Sequence, residues 1–242
     1  MEKLSLKIAS LGITTVLVFL ATAFFSVYIP ATKGFFNIGE SMVYLSSILF
    51  GPFIGAFAGG VGSMLADLYL GYYYYAPATL IIKALEGFSV GFLIKYSPKL
   101  NRSRWRLITS FLGLLAGALL ATIGSTYYSG NMELTLGQAT FTLYIPEVFW
   151  LTLASLTFII MLLAGLILEP ALGWSILSII AGGLIMVLGY FVYEMYFLGW
   201  LFGIEAIAIA EVPFNIGQMT IGLIIAAPTS KAIQKILHLK AK

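Results

Sequence analysis

Apolar segments of roughly 20 residues recur along this chain, about the length a helix needs to cross the hydrocarbon core of a bilayer. Each is apolar nearly all round, so none offers the single apolar stripe of a helix on a soluble surface. Of 242 residues, 60% are hydrophobic and only 10% charged, far outside ordinary soluble usage. The chain reads as an all-α polytopic membrane protein, a single membrane domain over residues 1–242. Lys3 and Lys7 precede an apolar run in which Ala21-Thr22-Ala23 imitates a signal-peptidase site. The run continues to Pro30, too long for the apolar region of a signal peptide, and predicts a first transmembrane helix.

About eight helices follow from the apolar pattern: 7–28, 41–50, 53–70, a fourth after Tyr72–Tyr75 and Pro77 running to 96, then 107–126, 148–168, 174–197 and 213–237. The second is short, because Pro52 disfavours helix in Gly51 before it. Between the fifth and sixth lies a polar segment with Asn131, Glu133 and Gln138, whose T-F-T-L-Y part suggests a short strand or a lid. Eight crossings place both termini on one side. Eleven of the thirteen Lys and Arg then share that side: two near the N-terminus, five around the loop 97–106, four at the C-terminus. The excess of basic residues predicts cytoplasmic N- and C-termini. It also accounts for the net charge of +3 without calling on nucleic acid.

Several chemistries lack material. There is no cysteine, and the one histidine, His238, falls in the basic C-terminal tail. Thiol catalysis, cysteine metal sites and Ser-His-Asp chemistry are therefore not expected within the membrane. No G-x-x-x-x-G-K-[ST] motif occurs, so ATP binding by a Walker loop is not expected. The sequence predicts no enzyme, no cofactor and no metal site.

The stretch from Asn37 to Gly91 carries the strongest signals. Gly55, Gly59 and Ser63 are four apart, as are Ala58, Gly62 and Ala66, a spacing that lets helix backbones approach closely. Gly55, Gly59, Gly62 and Asp67 are assigned to helix packing. Glu40, Asp67, Lys83 and Glu86 sit in or beside apolar sequence, where a charge needs a partner, a cavity or a ligand. Lys83 and Glu86 share a helix face. Lys83 reads either as an ion pair with Glu86 or Asp67, or as a ligand contact. Tyr190 and Glu194 share a face further on, and so do Asn215 and Gln218. These amides are either interhelical glue or ligand hydrogen bonds. Aromatics crowd the same helix ends, among them Phe35, Phe36, Tyr72 to Tyr75, Tyr127, Tyr128, Tyr193, Tyr196 and Trp200. They are either an interfacial belt or a cage for a flat heterocycle.

N-I-G-E at Asn37–Glu40, G-P-x-x-G-A-x-x-G-G-x-G-S-x-L-A-D at Gly51–Asp67 and Y-A-P-A-T-L-I-I-K-A-L-E-G at Tyr75–Gly87 form one ordered pattern. It resembles the substrate-binding S components of energy-coupling-factor (ECF) vitamin transporters, in the branch with riboflavin and hydroxymethylpyrimidine members. G-Y-F-V-Y-E at Gly189–Glu194 and P-F-N-I-G-Q at Pro213–Gln218 look like that branch's last two helices. The resemblance covers about residues 5–96 and 180–235. It departs from the family in two ways: N-I-G-E replaces the usual N-x-G-D, and eight helices replace six. It implies an S-component-like six-helix core, residues 1–106 and 170–242, with an inserted helix pair at about 107–169.

The resemblance also implies a function. Such a subunit, multi-pass in the plasma membrane of a prokaryote, binds a vitamin-like small molecule from outside. It docks on a transmembrane T component that carries two ABC-type ATPases. In the family a small-residue face of the first helix makes that contact; here Ser5, Ala9, Ser10 and Gly12 are small, without a strict A-x-x-x-A. The pocket would comprise Asn37, Glu40, Lys83, Glu86, Tyr190, Glu194, Asn215 and Gln218. The alternative is a stand-alone ion-coupled secondary transporter of a small solute, with Asp67, Lys83 and Glu86 as its relay.

Overall fold

The structure, a computed structural model, describes residues 2–29, 34–127, 129–136, 139–204 and 208–236. Pro30, Lys33, Tyr128, Gln138, Leu237 and His238 lie outside the described residues, and of Tyr127, Asn131 and Glu133 only the backbone is described. Eight principal helices are present among the described residues: α1 Glu2–Phe24, α2 Glu40–Phe50, α3 Pro52–Leu70, α4 Ala76–Lys95, α5 Arg102–Leu119, α6 Glu147–Ile167, α7 Pro170–Val192 and α8 Ala208–Ile236. Among the described residues seven spans are long and apolar enough to cross a membrane. This is a polytopic α-helical membrane protein.

Two compact units make up the chain, residues 1–97 with 174–242, and residues 98–173. The first holds six helices, α1–α4, α7 and α8. Helix α3 packs against α4 and α1, and α2 lies against α3, α4 and α8. Two apolar clusters fill this unit. One gathers Val18, Val43, Tyr44, Ala58, Val90, Ile179 and Ala226; the other gathers Tyr75, Ile82, Met186, Val187, Tyr193 and Leu198. Glycines set the helix spacing. A Cβ on Gly59 would lie 2.7 Å from the Lys83 carbonyl oxygen, and one on Gly62 2.8 Å from that of Thr15. Such contacts leave room for hydrogen only.

The 11-residue α2 rises about 16 Å, half the hydrocarbon thickness. It begins at depth rather than at the bilayer surface. Its first residue, Glu40, is ion-paired with Lys83, which lies seven residues, about 10 Å, into α4. The end of the loop ahead of α2 therefore dips into the bundle. At the far end Gly51 has φ 87°, a conformation glycine adopts freely. There the chain reverses into α3, with Pro52 in its first turn.

The apolar pattern misplaces some boundaries. Helix α1 ends at Phe24 rather than near residue 28, because Val27–Ile29 (β1) pairs antiparallel with Gly34–Phe36 (β2), Tyr28 opposite Phe35. These β-branched and aromatic residues suit a strand. Helix α8 begins at Ala208, ahead of Pro213, since the apolar residues there extend the helix at the loss of one backbone bond. Helix α7 continues past Val192 as a π-helical turn, Tyr193–Leu198.

In the second unit α5 starts at Arg102, five residues before the apolar run. The Asn101 side chain accepts from the Arg104 backbone N–H at 2.8 Å, a standard helix cap. The arginines expected in a loop thus stand on the first turns of a helix. Helix α5 packs against α6, where a Cβ on Gly113 would fall 2.7 Å from that of Met161. The polar segment between them is a hairpin, Gly130–Leu136 (β3) with Ala139–Ile145 (β4).

Candidate functional site

Six elements of the first unit converge their ends on one cavity. Its walls are Thr22 from α1, Gly34 and Phe35 from β2, Asn37, Ser63 and Asp67 from α3, Tyr75 just ahead of α4, Thr79 and Lys83 from α4, Tyr190 from α7 and Glu194 from the π-helical turn after it, and Glu211, Asn215 and Gln218 from α8. The space between them, including open solvent at its mouth, is about 420 Å³. Helical periodicity explains the convergence. Ser63 and Asp67, Tyr75, Thr79 and Lys83, Tyr190 and Glu194, and Glu211, Asn215 and Gln218 are each spaced by three or four on one helix face.

At the inner end, Lys83 is ion-paired with Glu40 and lies 3.1 Å from Glu86 Oε2. Tyr44 donates to the other Glu86 oxygen at 2.8 Å. Glu40 and Glu86 are fully buried and Lys83 is 4% exposed. Their mutual charge offsets the cost of taking each out of water. The Lys83 ammonium also stands 5.8 Å from the centre of the Tyr190 ring, within cation–π range.

Three amides form a directed chain along α8. Asn37 Nδ2 donates to Gln218 Oε1 at 2.6 Å, and Gln218 Nε2 donates to Asn215 Oδ1 at 2.9 Å. Asn37 Oδ1 meanwhile accepts from the Gly39 backbone N–H at 2.8 Å, which fixes the entry to α2. The chain ends at Asn215 Nδ2, a buried donor with no partner among the described residues.

Towards the mouth, the Tyr75 hydroxyl donates to Glu194 Oε1 at 3.0 Å. Burial and then the Glu194 charge hold the Tyr75 phenol well above its ordinary pKa, so it remains a donor. Thr79 bonds the Tyr190 hydroxyl at 2.9 Å. Glu194 Oε2 and Asp67 Oδ2 are buried acceptors with no partner among the described residues. Unmet polar atoms of this kind are uncommon in native interiors. The π turn starts one residue before Glu194, and adjacent Tyr193 and Glu194 are both buried there. Single π turns of this sort recur at functional sites.

Of the eight residues expected to form a pocket, Asn37, Lys83, Tyr190, Glu194, Asn215 and Gln218 line this cavity; Glu40 and Glu86 stand one layer back and hold Lys83. Asp67, assigned to helix packing, lines the wall instead of pairing with Lys83. Ser63, noted for its helix-packing spacing, and Phe35 and Tyr75, read as an interfacial belt or a cage, join the wall, as do Thr22, Thr79 and Glu211, which were not assigned to the pocket. Tracing the Lys83 face outward by four and by eight would have reached Thr79 and Tyr75. The tetra-tyrosine run divides: Tyr75 is 5% exposed in the wall, while Tyr73 is 66% exposed.

A six-helix membrane unit whose helix ends converge on an open-mouthed cavity with buried polar side chains is the class that fold and geometry define. The chain belongs to the family of ECF-type riboflavin transporter S components, whose match spans residues 4–172. That span includes the second unit and stops ahead of the residues that α7 and α8 give to the cavity. A protein of Pyrococcus woesei, "Uncharacterized protein in gap 3'region", is 42% identical over 96 residues, 40% of this chain and 60% of the relative. The chain thus spans about three fifths of the length of that curated relative.

Proposed function

We propose that this chain is the substrate-capture subunit of an ECF-type ABC transporter. It takes a vitamin or related small heteroaromatic nutrient from outside, and partner subunits drive uptake with ATP: a transmembrane T component and two ABC-type ATPases. One observation carries the reading. An open-mouthed cavity is lined by residues whose Asn215 Nδ2, Asp67 Oδ2 and Glu194 Oε2 are buried and lack partners among the described residues. A ligand's ring donors and acceptors would satisfy them. Family membership supports the division of labour, since an S component is not an enzyme.

The test is mass spectrometry of small molecules released from the purified protein, followed by titration of B-vitamins and their precursors. Recovery of a heterocycle in near-stoichiometric amount is expected. Asn215→Ala removes the free donor without adding a charge, so it should weaken binding by about 1–3 kcal/mol. Unchanged affinity would remove Asn215 from the pocket. Uptake by this chain alone, abolished by an uncoupler, would replace the capture reading with ion-coupled transport.

A further inference from the structure

Four cations crowd the start of α5. Lys99, Arg102, Arg104 and Arg106 fall within eight residues and are all exposed. The ion pairs among the described residues are those of Lys83 with Glu40 and Glu86, so none of the four holds a carboxylate. Arg102 donates to the Leu166 carbonyl oxygen at 3.2 Å, near the end of α6. Glu169, exposed just beyond that end, pairs with none of them.

An apolar face continues from this basic end along the span Arg102–Thr122. Arg104, Leu107, Phe111 and Leu114 are spaced by three or four, so they share one side of α5. Leu107 is 70% exposed, Phe111 65% and Leu114 61%. The glycines of α5 serve its contact with α6 instead. A Cβ on Gly113 would lie 2.7 Å from that of Met161, and one on Gly117 3.0 Å from the Ala154 carbonyl oxygen. Helices that associate in lipid meet through small residues, and the outer stripe of α5 is bulky. It suits acyl chains better than a third helix. The arginine at its head carries a planar fork that matches two phosphate oxygens. Retention of positive charge on one side explains a basic loop, but does not put an arginine in line with an apolar stripe.

We propose that this face of α5 binds an anionic phospholipid. Arg104 holds the headgroup phosphate, the neighbouring cations add attraction, and the acyl chains lie along Leu107, Phe111 and Leu114. The inference is independent of what the cavity binds.

Native mass spectrometry of the full chain in detergent tests it, with phosphatidylglycerol and phosphatidylcholine of identical acyl chains competing in one sample. Phosphatidylglycerol should bind at least about tenfold more tightly. Ser103→Arg combined with Arg104→Gln keeps the net charge and the basic helix end, but turns the cation about 100° away from the stripe. This double variant should keep its melting temperature in phosphatidylcholine and show a preference of about twofold or less. Arg104→Gln alone should lower the preference in the same direction. Equal binding of the two lipids by the unmodified chain would overturn the proposal and leave the cations to an acidic partner protein. A preference that survives the exchange at 103 and 104 would mean diffuse attraction to charge, and would overturn the site at Arg104. Glycerol 3-phosphate, which carries the phosphate without the chains, should not displace the lipid at equal concentration. Displacement would show that the stripe takes no part and would overturn a lipid as the ligand.

Discussion

An ammonium group within a membrane span is stable only while its partners stay in place, and the partners of Lys83 come from two helices. Glu86 stands three residues along the same helix, 3.1 Å away, while Glu40 arrives from the first residue of α2. Removing one member of a buried ionic group leaves the others uncompensated, at a cost of about 3–5 kcal/mol. Lys83→Met should therefore destabilise the protein by about that amount, read as a fall in the melting temperature of the detergent-solubilised chain. Adding Glu40→Gln to Lys83→Met removes one stranded carboxylate and should recover part of the loss. Simple additivity of the two changes would show that the three groups do not act as a unit.

Helix α4 holds Lys83 at its depth only because α3 lies close against it. The Gly59 contact with the Lys83 carbonyl is backbone against backbone, so no side chain can turn aside to admit a larger residue. Gly59→Val should cost about 1–3 kcal/mol by overpacking and displace the Lys83 turn, weakening ligand binding as well. Gly12 in α1 supplies the control, since a Cβ there meets nothing within 4 Å. Gly12→Val should leave stability unchanged; an equal loss in both variants would mean that β-branching alone is responsible. The spans themselves were legible, because a run apolar on every face has few alternatives to a membrane helix. The polar residues inside them were legible as a cluster, because charges and amides are costly there. Thr79 escaped notice because a hydroxyl can satisfy itself on its own helix backbone and carries no such signal. Tyr75 was hidden among tyrosines that suit an interfacial belt equally well. The early starts of α5 and α8 escaped for a related reason: capping by Asn101 and tolerance of Pro213 are local events that hydropathy does not register.

The six-helix unit is electrically polar along its helices. Lys7 stands near the start of α1, whose far end gives Thr22 to the cavity; Lys95 closes α4, which gives Tyr75 at its start; Lys231 and Lys235 lie near the end of α8, which gives Glu211 near its start. Basic ends and acidic cavity mouth therefore lie at opposite ends of the same helices. Positive residues are retained on the cytoplasmic side, so the proposed capture from outside predicts a mouth that faces outward. The absence of native cysteine makes this directly testable with single introduced thiols. Tyr73, 66% exposed in the turn between α3 and α4, and Ser97, exposed just beyond α4, flank a 20-residue helix about 30 Å long. A membrane-impermeant maleimide should label Tyr73→Cys on intact cells and Ser97→Cys only after permeabilisation. The reverse pattern would turn the cavity towards the cytoplasm, where a subunit that collects scarce nutrients could not meet its ligand. Labelling of both thiols on intact cells would mean that α4 does not cross the membrane, and would break the link between the basic ends and the direction of the mouth.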